Sequence, residues 1–274
     1  MRNRFGSVLV VIASVMTGCA EVTAPESEAS QGFNSLFIGH SFFRPIADGL
    51  PFHAGQAGIV EHEQAVVFAG GANGAPLALW NNAAKRAEIQ AVLDQGDVEL
   101  FGMTYARTYP TTEGYERWIG YALQRNPDTR FFIGLPWSDF PAEVDGSTYA
   151  QSWLEAHEGW WHDFVESIRA LFPGVEIFCI PYGRSALELR NLLDAGALPD
   201  IETLTGAADE AIFTDAKGHA GGILKELARL VWLEAIYGVD LRTYEYDPGY
   251  TTDLKLIAQD IAVGHDPYFG RASR

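Results

Sequence analysis

Five short apolar runs alternate with longer amphipathic segments along most of this chain, and this alternation restricts the fold more than any other feature. Each run has the length and the residues of a buried strand; the runs cover 35–39, 64–69, 98–102, 130–135 and 175–180. Strands that alternate with helices form a parallel sheet that is covered by helices on both faces. We therefore expect an α/β fold, a three-layer α/β/α sandwich whose central parallel sheet has about five strands.

The amphipathic segments predict the helices. They cover 76–94, 113–125, 151–172, 185–194 and 220–237, and proline or glycine marks several of their ends. A further segment over 252–262 lies beyond the last of these units, and we expect it to pack on the domain. In parallel α/β sheets, ligands bind at the carboxyl ends of the strands. Polar residues in the loops that follow the strands are therefore the candidates for function.

The N-terminus has the pattern of an export signal. Arg2 and Arg4 precede an apolar stretch over 5–16, which is shorter than the roughly 20 residues that cross a bilayer. The stretch leads into Met-Thr-Gly-Cys, which ends at Cys19 and resembles the site where bacterial lipoproteins are cleaved and lipidated. The alternative is an ordinary signal peptide with an incidental cysteine. We expect a lipoprotein signal peptide over 1–18, lipidation at Cys19, and a lipid-anchored protein in the cell envelope, at the outer membrane, in the periplasm or at the cell surface.

Composition completes the division of the chain. Residues 19–32 are small, polar and acidic, which is typical of a flexible tether. The remainder suits one α/β domain over 33–240, followed by a C-terminal extension over 241–274. The formal net charge of −17 argues against binding to nucleic acid or to an anionic membrane surface. We expect a monomer that meets the membrane only through its N-terminal lipid.

Two short motifs near the two ends of the domain carry the chemistry. Ser41 follows the first apolar run, and Asp215 and His219 stand just before the last long helix. A serine hydroxyl becomes an effective nucleophile when a neutral imidazole takes its proton, and a carboxylate fixes the tautomer of that imidazole. We expect Ser41 to be the nucleophile, His219 the base and Asp215 its orienting acid, with Asp209 and Glu210 as alternative acids. For a Gly-x-Ser motif alone, an ordinary turn is the competing interpretation.

The order of these motifs resembles that of the SGNH (GDSL-type) serine hydrolase superfamily. Residues 38–42 (Ile-Gly-His-Ser-Phe) match its first block, and the resemblance extends over about 33–239. The chain departs from the family at His40, where the family usually has Asn or Asp, and it separates Asp215 from His219 by one residue more than the family does. The resemblance implies a flavodoxin-like SGNH-hydrolase fold, catalysis through an acyl-enzyme, and no cofactor.

The resemblance also indicates where an oxyanion hole would lie. The family uses the backbone N–H of a glycine after the second strand; Gly71 is the best match here and Gly70 the alternative. Its third block supplies an Asn side chain, and the matching stretch over 100–105 contains no Asn. The side chains that could replace it are those of Asn73, Thr104, Tyr105 and Trp137.

The remaining histidines suggest no metal site. His157 and His162 are five residues apart, which places them about 140° apart around an α-helix. His53, His62 and His265 likewise lack metal-site spacing, so we expect no metal. Trp137 differs from these residues because it follows the fourth strand, where an aromatic ring can stack on a sugar. It is our candidate for substrate binding.

These observations favour a serine esterase. The predicted location in the cell envelope and the resemblance to SGNH hydrolases indicate an O-deacetylase that removes acetyl groups from a glycan, with a small-molecule or glycan ester as substrate. The alternatives are a lipase or thioesterase that prefers longer acyl chains, a catalytically inactive glycan-binding lipoprotein, and a structural envelope protein. A structural role would leave Ser41 and His219 beyond hydrogen-bonding reach of each other.

Overall fold

Five parallel strands form the central sheet, and each coincides with one of the apolar runs. The computed structural model describes residues 30–271, so the predicted signal peptide, Cys19 and the tether as far as residue 29 lie outside the described residues. The strands are β1 (Asn34–Gly39), β2 (Glu63–Phe68), β3 (Leu100–Thr104), β4 (Arg130–Gly134) and β5 (Ile177–Ile180). They are hydrogen-bonded in the order β2-β1-β3-β4-β5. The predicted α/β class with a five-stranded parallel sheet is confirmed.

Helices cover both faces of this sheet. In chain order they are α1 (Arg44–Ala47), α2 (Leu50–Gln56), α3 (Pro76–Asn81), α4 (Ala83–Leu93), α5 (Glu113–Leu123), α6 (Gly146–Glu155), α7 (His162–Leu171), α8 (Arg184–Asp194), α9 (Gly222–Tyr237) and α10 (Leu254–Val263). Helices α1, α2, α9 and α10 enclose one hydrophobic core, α3 to α7 enclose the other, and α8 contributes to both. The result is the three-layer sandwich that the alternation predicts.

The strands divide their side chains between the two cores because successive residues of a strand point to opposite faces. On β1, Phe37 belongs to the core beneath α9, whereas Leu36 and Ile38 belong to the other. Gly102 on β3 leaves room for the large rings of the first core, since an added Cβ would lie 2.2 Å from the Phe132 ring. Aromatic packing of this kind fixes the sheet whose edge carries the site.

The helix predicted over 76–94 is in fact two helices. Asn82 has an extended backbone (φ −82°, ψ 109°) and ends α3. Its side chain accepts hydrogen bonds from the N–H groups of Ala84 and Lys85, both at 3.1 Å, and so caps α4. Asn is a favoured N-cap residue because its side-chain oxygen satisfies the free N–H groups of a first helical turn.

The helix predicted over 151–172 also differs from expectation. It begins earlier, at the N-cap Asp145, and contains a π-helical segment, Ala156–Trp161, between α6 and α7. The π-helix joins residues i and i+5, which brings His157 and His162 to the same side. His265, just after α10, completes a group in which one ring nitrogen of each residue lies within 4.8 Å of the others. The expectation that His157 and His162 lie on different sides of their helix is therefore wrong.

In the C-terminal part of the domain, a pair of short strands precedes the loop that contains Asp215 and His219, and helix α9 follows it. Two three-residue strands, β6 (Thr203–Thr205) and β7 (Ala211–Phe213), pair in parallel outside the main sheet. A loop then leads into α9, which ends at Gly238 in the left-handed conformation (φ 68°). Helix α10 packs against α9. Among residues 30–271, no helix has the length and apolar character needed to cross a bilayer.

Candidate active site

Ser41 lies just after the carboxyl end of β1, in a tight turn. Packing at Gly39 and hydrogen bonds to the His40 carbonyl stabilise this turn. Gly39 passes so near Phe43 that an added Cβ would lie 2.8 Å from its ring. The His40 carbonyl accepts hydrogen bonds from the N–H groups of Phe43 and Arg44, at 3.1 and 3.0 Å, and α1 begins at Arg44, shortly after the serine. The chain thus reverses sharply at the sheet edge and leaves the Ser41 hydroxyl facing a cleft.

Asp215 and His219 belong to the loop between β7 and α9. The Thr214 N–H donates to the His219 carbonyl at 2.7 Å, which closes the loop. Gly218 turns the chain with φ 99°, a conformation that suits glycine. Asp215 Oδ1 accepts the N–H groups of Gly218 and His219, at 3.0 and 3.1 Å. A tight turn around the Asp215 carboxylate therefore accommodates the extra residue between Asp215 and His219.

The loop brings His219 between Asp215 and Ser41. Asp215 Oδ2 lies 2.6 Å from His219 Nδ1, and His219 Nε2 lies 3.0 Å from Ser41 Oγ. A carboxylate beside Nδ1 favours the tautomer with its proton on that nitrogen, which leaves Nε2 free to accept the serine proton. Neither alternative acid is needed, because Asp215 already fills that position. The separation expected for a purely structural protein is not observed.

Hydrogen bonds keep Asp215 ionised. Its partial desolvation raises the pKa, but the His219 ring and the N–H groups of His219 and Gly218 outweigh that effect, and the pKa lies below its usual value. A carboxylate that stays charged can stabilise the imidazolium that forms when His219 takes a proton.

The loop after β4 holds the histidine loop in place. Trp137 Nε1 donates to the Gly218 carbonyl at 2.7 Å, and the Phe140 N–H donates to the Lys217 carbonyl at 3.1 Å. The Lys217 ammonium lies 3.0 Å from an Asp139 carboxylate oxygen. Trp137 is 2 % exposed. Although Trp137 borders the cleft, its Nε1 hydrogen bond is made to the loop that carries His219.

The site opens into a cleft of about 550 Å³ at the carboxyl edge of the sheet. Loops after β1, β2, β3 and β4 all contribute to it, as the general rule for parallel α/β sheets requires. Its wall combines aromatic rings with charged and hydroxyl groups: Tyr105, Phe140, Tyr149, Arg107, Asp139 and Ser138. Of these side chains, the sequence pattern assigned a possible role only to Tyr105, although Arg107, Ser138, Asp139 and Phe140 also lie in loops that follow strands.

Two backbone N–H groups are available for an oxyanion. Gly71 borders the cleft and has φ 54°, a conformation that L side chains adopt at a cost. Among the described residues, neither the Gly71 N–H nor the Ser41 N–H has a hydrogen-bond acceptor. Asn73, by contrast, is exposed and does not border the cleft. The position of Gly71 suits the expected backbone donor better than that of Gly70, whereas the position of Asn73 does not suit it as a replacement for the missing Asn side chain.

Thr104 is not available as an oxyanion donor. It is fully buried, and its Oγ1 lies 3.1 Å from His40 Nε2 and donates to the Tyr105 carbonyl at 3.3 Å. His40 Nδ1 accepts the Phe42 N–H at 3.2 Å, so the ring proton belongs on Nε2 and points at Thr104. The expectation for Thr104 is wrong because its hydroxyl is already engaged with His40.

His40 is a residue of the site whose role sequence reasoning left open. Burial lowers the pKa of His40 to about 4, so the ring is neutral near pH 7. Through Nδ1 and Nε2 it connects the turn that carries Ser41 to the end of β3. The signal in the sequence was the histidine at a position where the resembling family has Asn or Asp.

Comparisons with known proteins give limited similarity. No protein-family model matches the sequence, and no curated protein matches it. Among solved structures, the chain is similar to the periplasmic domain of a lipopolysaccharide acetyltransferase from Salmonella ser. Paratyphi A, with 16% sequence identity and a TM-score of 0.38. The match covers 58% of this chain and 69% of that one. Function must therefore be inferred from the chemistry of the cleft.

Proposed function

We propose that this protein is a serine esterase of the SGNH type, and that Ser41, His219 and Asp215 are its catalytic residues. The observation that supports it is the continuous chain of contacts from Asp215 Oδ2 through the His219 ring to Ser41 Oγ, at 2.6 and 3.0 Å. Both distances lie within the hydrogen-bonding reach that proton transfer needs. Asp215 and His219 lie in one loop near the end of the domain, and Ser41, 178 residues before His219 in the sequence, meets them where it borders the cleft.

The proposed reaction has two halves. Ser41 Oγ attacks the ester carbonyl while His219 Nε2 takes its proton, and the resulting oxyanion accepts hydrogen bonds from the N–H groups of Ser41 and Gly71. His219 then gives the proton to the departing alcohol, which leaves an acyl group on Ser41. Water, deprotonated by His219, hydrolyses this acyl-enzyme and restores the serine.

We further propose that the substrate is an O-acetylated glycan. The cleft of about 550 Å³ is large for an acetyl group alone and has room for sugar rings. The exposed aromatic ring of Phe140 suits stacking on a sugar, and Arg107 and Asp139 offer hydrogen bonds to hydroxyl groups. Lipidation at Cys19 would place this cleft in the cell envelope, where such polymers occur.

Hydrolysis of p-nitrophenyl acetate by the purified full-length chain tests the proposal. Ser41→Ala should lower kcat by about 10³-fold or more, because the nucleophile is lost. The matched control is Ser138→Ala, which removes another serine from the same cleft and should keep kcat within about threefold of wild type. Equal loss of activity in both variants, or none in Ser41→Ala, would contradict the proposed nucleophile.

The acyl preference separates the deacetylase from its alternatives. We expect kcat/KM to decrease from p-nitrophenyl acetate to the butyrate and octanoate esters, and we expect release of acetate from a chemically acetylated oligosaccharide. A preference for octanoate would overturn the deacetylase assignment and leave the esterase mechanism in place.

A further inference from the structure

A second cluster of reactive side chains lies away from the cleft. His157 is in the π-helical segment, His162 begins α7, and His265 follows α10. His162 Nε2 lies 3.4 Å from His265 Nε2, and one nitrogen of each of the three rings lies within 4.8 Å of the others. Two ligands at 2.0–2.1 Å from a tetrahedral zinc ion are about 3.3–3.4 Å apart. The closest pair therefore already has the spacing of two zinc ligands.

The protein holds these rings in position. His162 stacks on Phe269 at 3.7 Å with 5° between the ring planes, and His157 stacks on Trp153 at 4.9 Å with 17°. The buried His157 Nδ1 has no hydrogen-bond partner among the described residues. A buried nitrogen without a partner is costly, and a bound cation would be one way to satisfy this cluster.

The rings are also in the protonation state that binds metal. Burial, reinforced by the neighbouring histidines, lowers the pKa of His157 to about 3 and that of His265 to about 4. Burial lowers the pKa of His162 from its usual value as well, so all three imidazoles are neutral near pH 7, and neutral imidazole is the ligand form.

The nearby arginines do not prevent a cation from binding. Arg184 and Arg169 lower the pKa values of the cluster, but each is paired with a carboxylate, Glu188 and Glu166 respectively. A cavity of about 280 Å³ reaches His157 and His265 and is also lined by Asp260. It offers a path of entry and room for a water molecule or a carboxylate as fourth ligand.

We propose that His157, His162 and His265 bind a divalent transition-metal ion of the zinc class and thereby fasten the C-terminal segment to the helix layer. Imidazole nitrogen is a preferred ligand of zinc, copper and nickel. Two of the ligands lie in or beside the π-helical segment and the third lies about 100 residues later along the chain, so the metal would join the extension to the domain. This site is independent of the proposed esterase activity.

Zinc titration of the full-length chain tests the site. The protein is purified in detergent without a histidine tag, stripped with EDTA, and titrated by isothermal calorimetry with ZnCl₂. We expect one equivalent to bind with a Kd below about 1 µM and to raise the Tm by several degrees. His162→Gln and His265→Gln should each weaken binding at least tenfold. The matched control is His62→Gln, which removes a partly buried histidine outside this cluster, bonded to Gln64 and Tyr237, and should bind zinc like wild type.

Cobalt provides a readout that needs no variant. Co²⁺ added to the wild-type protein should give the intense visible absorption of tetrahedral coordination, and zinc should abolish it. If a variant does not fold, as judged by its far-UV circular dichroism without metal, this spectrum alone decides the outcome. Binding of less than one equivalent, equal zinc affinity in His162→Gln and His62→Gln, or only the weak spectrum of octahedral cobalt would each overturn the proposal.

Discussion

Trp137→Phe should destabilise the protein by removing the hydrogen bond that restrains the histidine loop. The Trp137 Nε1 donates to the Gly218 carbonyl at 2.7 Å, and both residues are buried. Phenylalanine keeps the stacking with Phe42 but has no N–H, so the carbonyl loses its donor. A buried polar group left unsatisfied costs about 1–3 kcal/mol, and the smaller ring loses packing worth about 1–2 kcal/mol. We expect the free energy of unfolding in urea to fall by about 2–5 kcal/mol.

The same change should slow catalysis. Gly218 directly precedes His219, whose Nε2 lies 3.0 Å from Ser41 Oγ. A displacement of about 1 Å at a catalytic group can cost about 10²-fold in rate. We therefore expect kcat for p-nitrophenyl acetate to fall about 10- to 100-fold at a temperature where the variant is fully folded.

Trp118→Phe is the matched control. Trp118 is fully buried on α5 and donates its Nε1 hydrogen to the Pro76 carbonyl at 2.9 Å, away from the cleft. It should lose a similar amount of stability while its kcat stays within about threefold of wild type. If both variants lose stability but show the same kcat, Trp137 does not position His219 and the reasoning is refuted.

Three further predictions follow from the site. Asp215→Asn should keep the fold but lower kcat by about 10²–10⁴-fold, because an amide can present the wrong group to His219 Nδ1; an unchanged kcat would exclude Asp215 as the orienting acid. Gly71→Ala should cost about 1–2 kcal/mol of stability, as should Gly174→Ala, since both glycines have positive φ and open space for a Cβ; only Gly71→Ala should also lower kcat. Because the pKa of His40 is lowered to about 4, the unfolded chain binds more protons below about pH 6.5. The free energy of unfolding should therefore decrease as the pH falls from about 6.5 towards 4, by up to about 1.4 kcal/mol per pH unit from this residue, and His40→Asn should give a shallower slope.

The sequence allowed the sheet and the reacting groups to be predicted because their signals are local. A buried parallel strand needs a continuous apolar run, and each of the five runs provided one. Ser41 and His219 were recognisable because each stands where a strand or a helix meets a loop. Asn82 also has a local signal, because Asn is a favoured N-cap residue. The amphipathic pattern continues on both sides of it, so the sequence predicts one helix where the structure has two.

The missed features depend on contacts between distant parts of the chain. The π-helical segment has buried residues at both of its ends, and no residue pattern at 156–161 predicts it. The five-residue spacing of His157 and His162 therefore predicts an α-helical geometry that this segment does not have. The bond from Trp137 to Gly218 joins residues 81 positions apart, and Thr104 could be recognised as the partner of His40 only once β1 and β3 lay side by side.

Labelling with a fluorophosphonate tests the central claim most directly, because this reagent reacts with a serine only when that serine is activated as a nucleophile. Intact-mass measurement should show one adduct per chain, and peptide mapping should locate it on Ser41. His219→Ala should slow the labelling at least 100-fold, and Ser138→Ala should label at the wild-type rate. No adduct, an adduct on another residue, or labelling of Ser41 that does not depend on His219 would contradict the account.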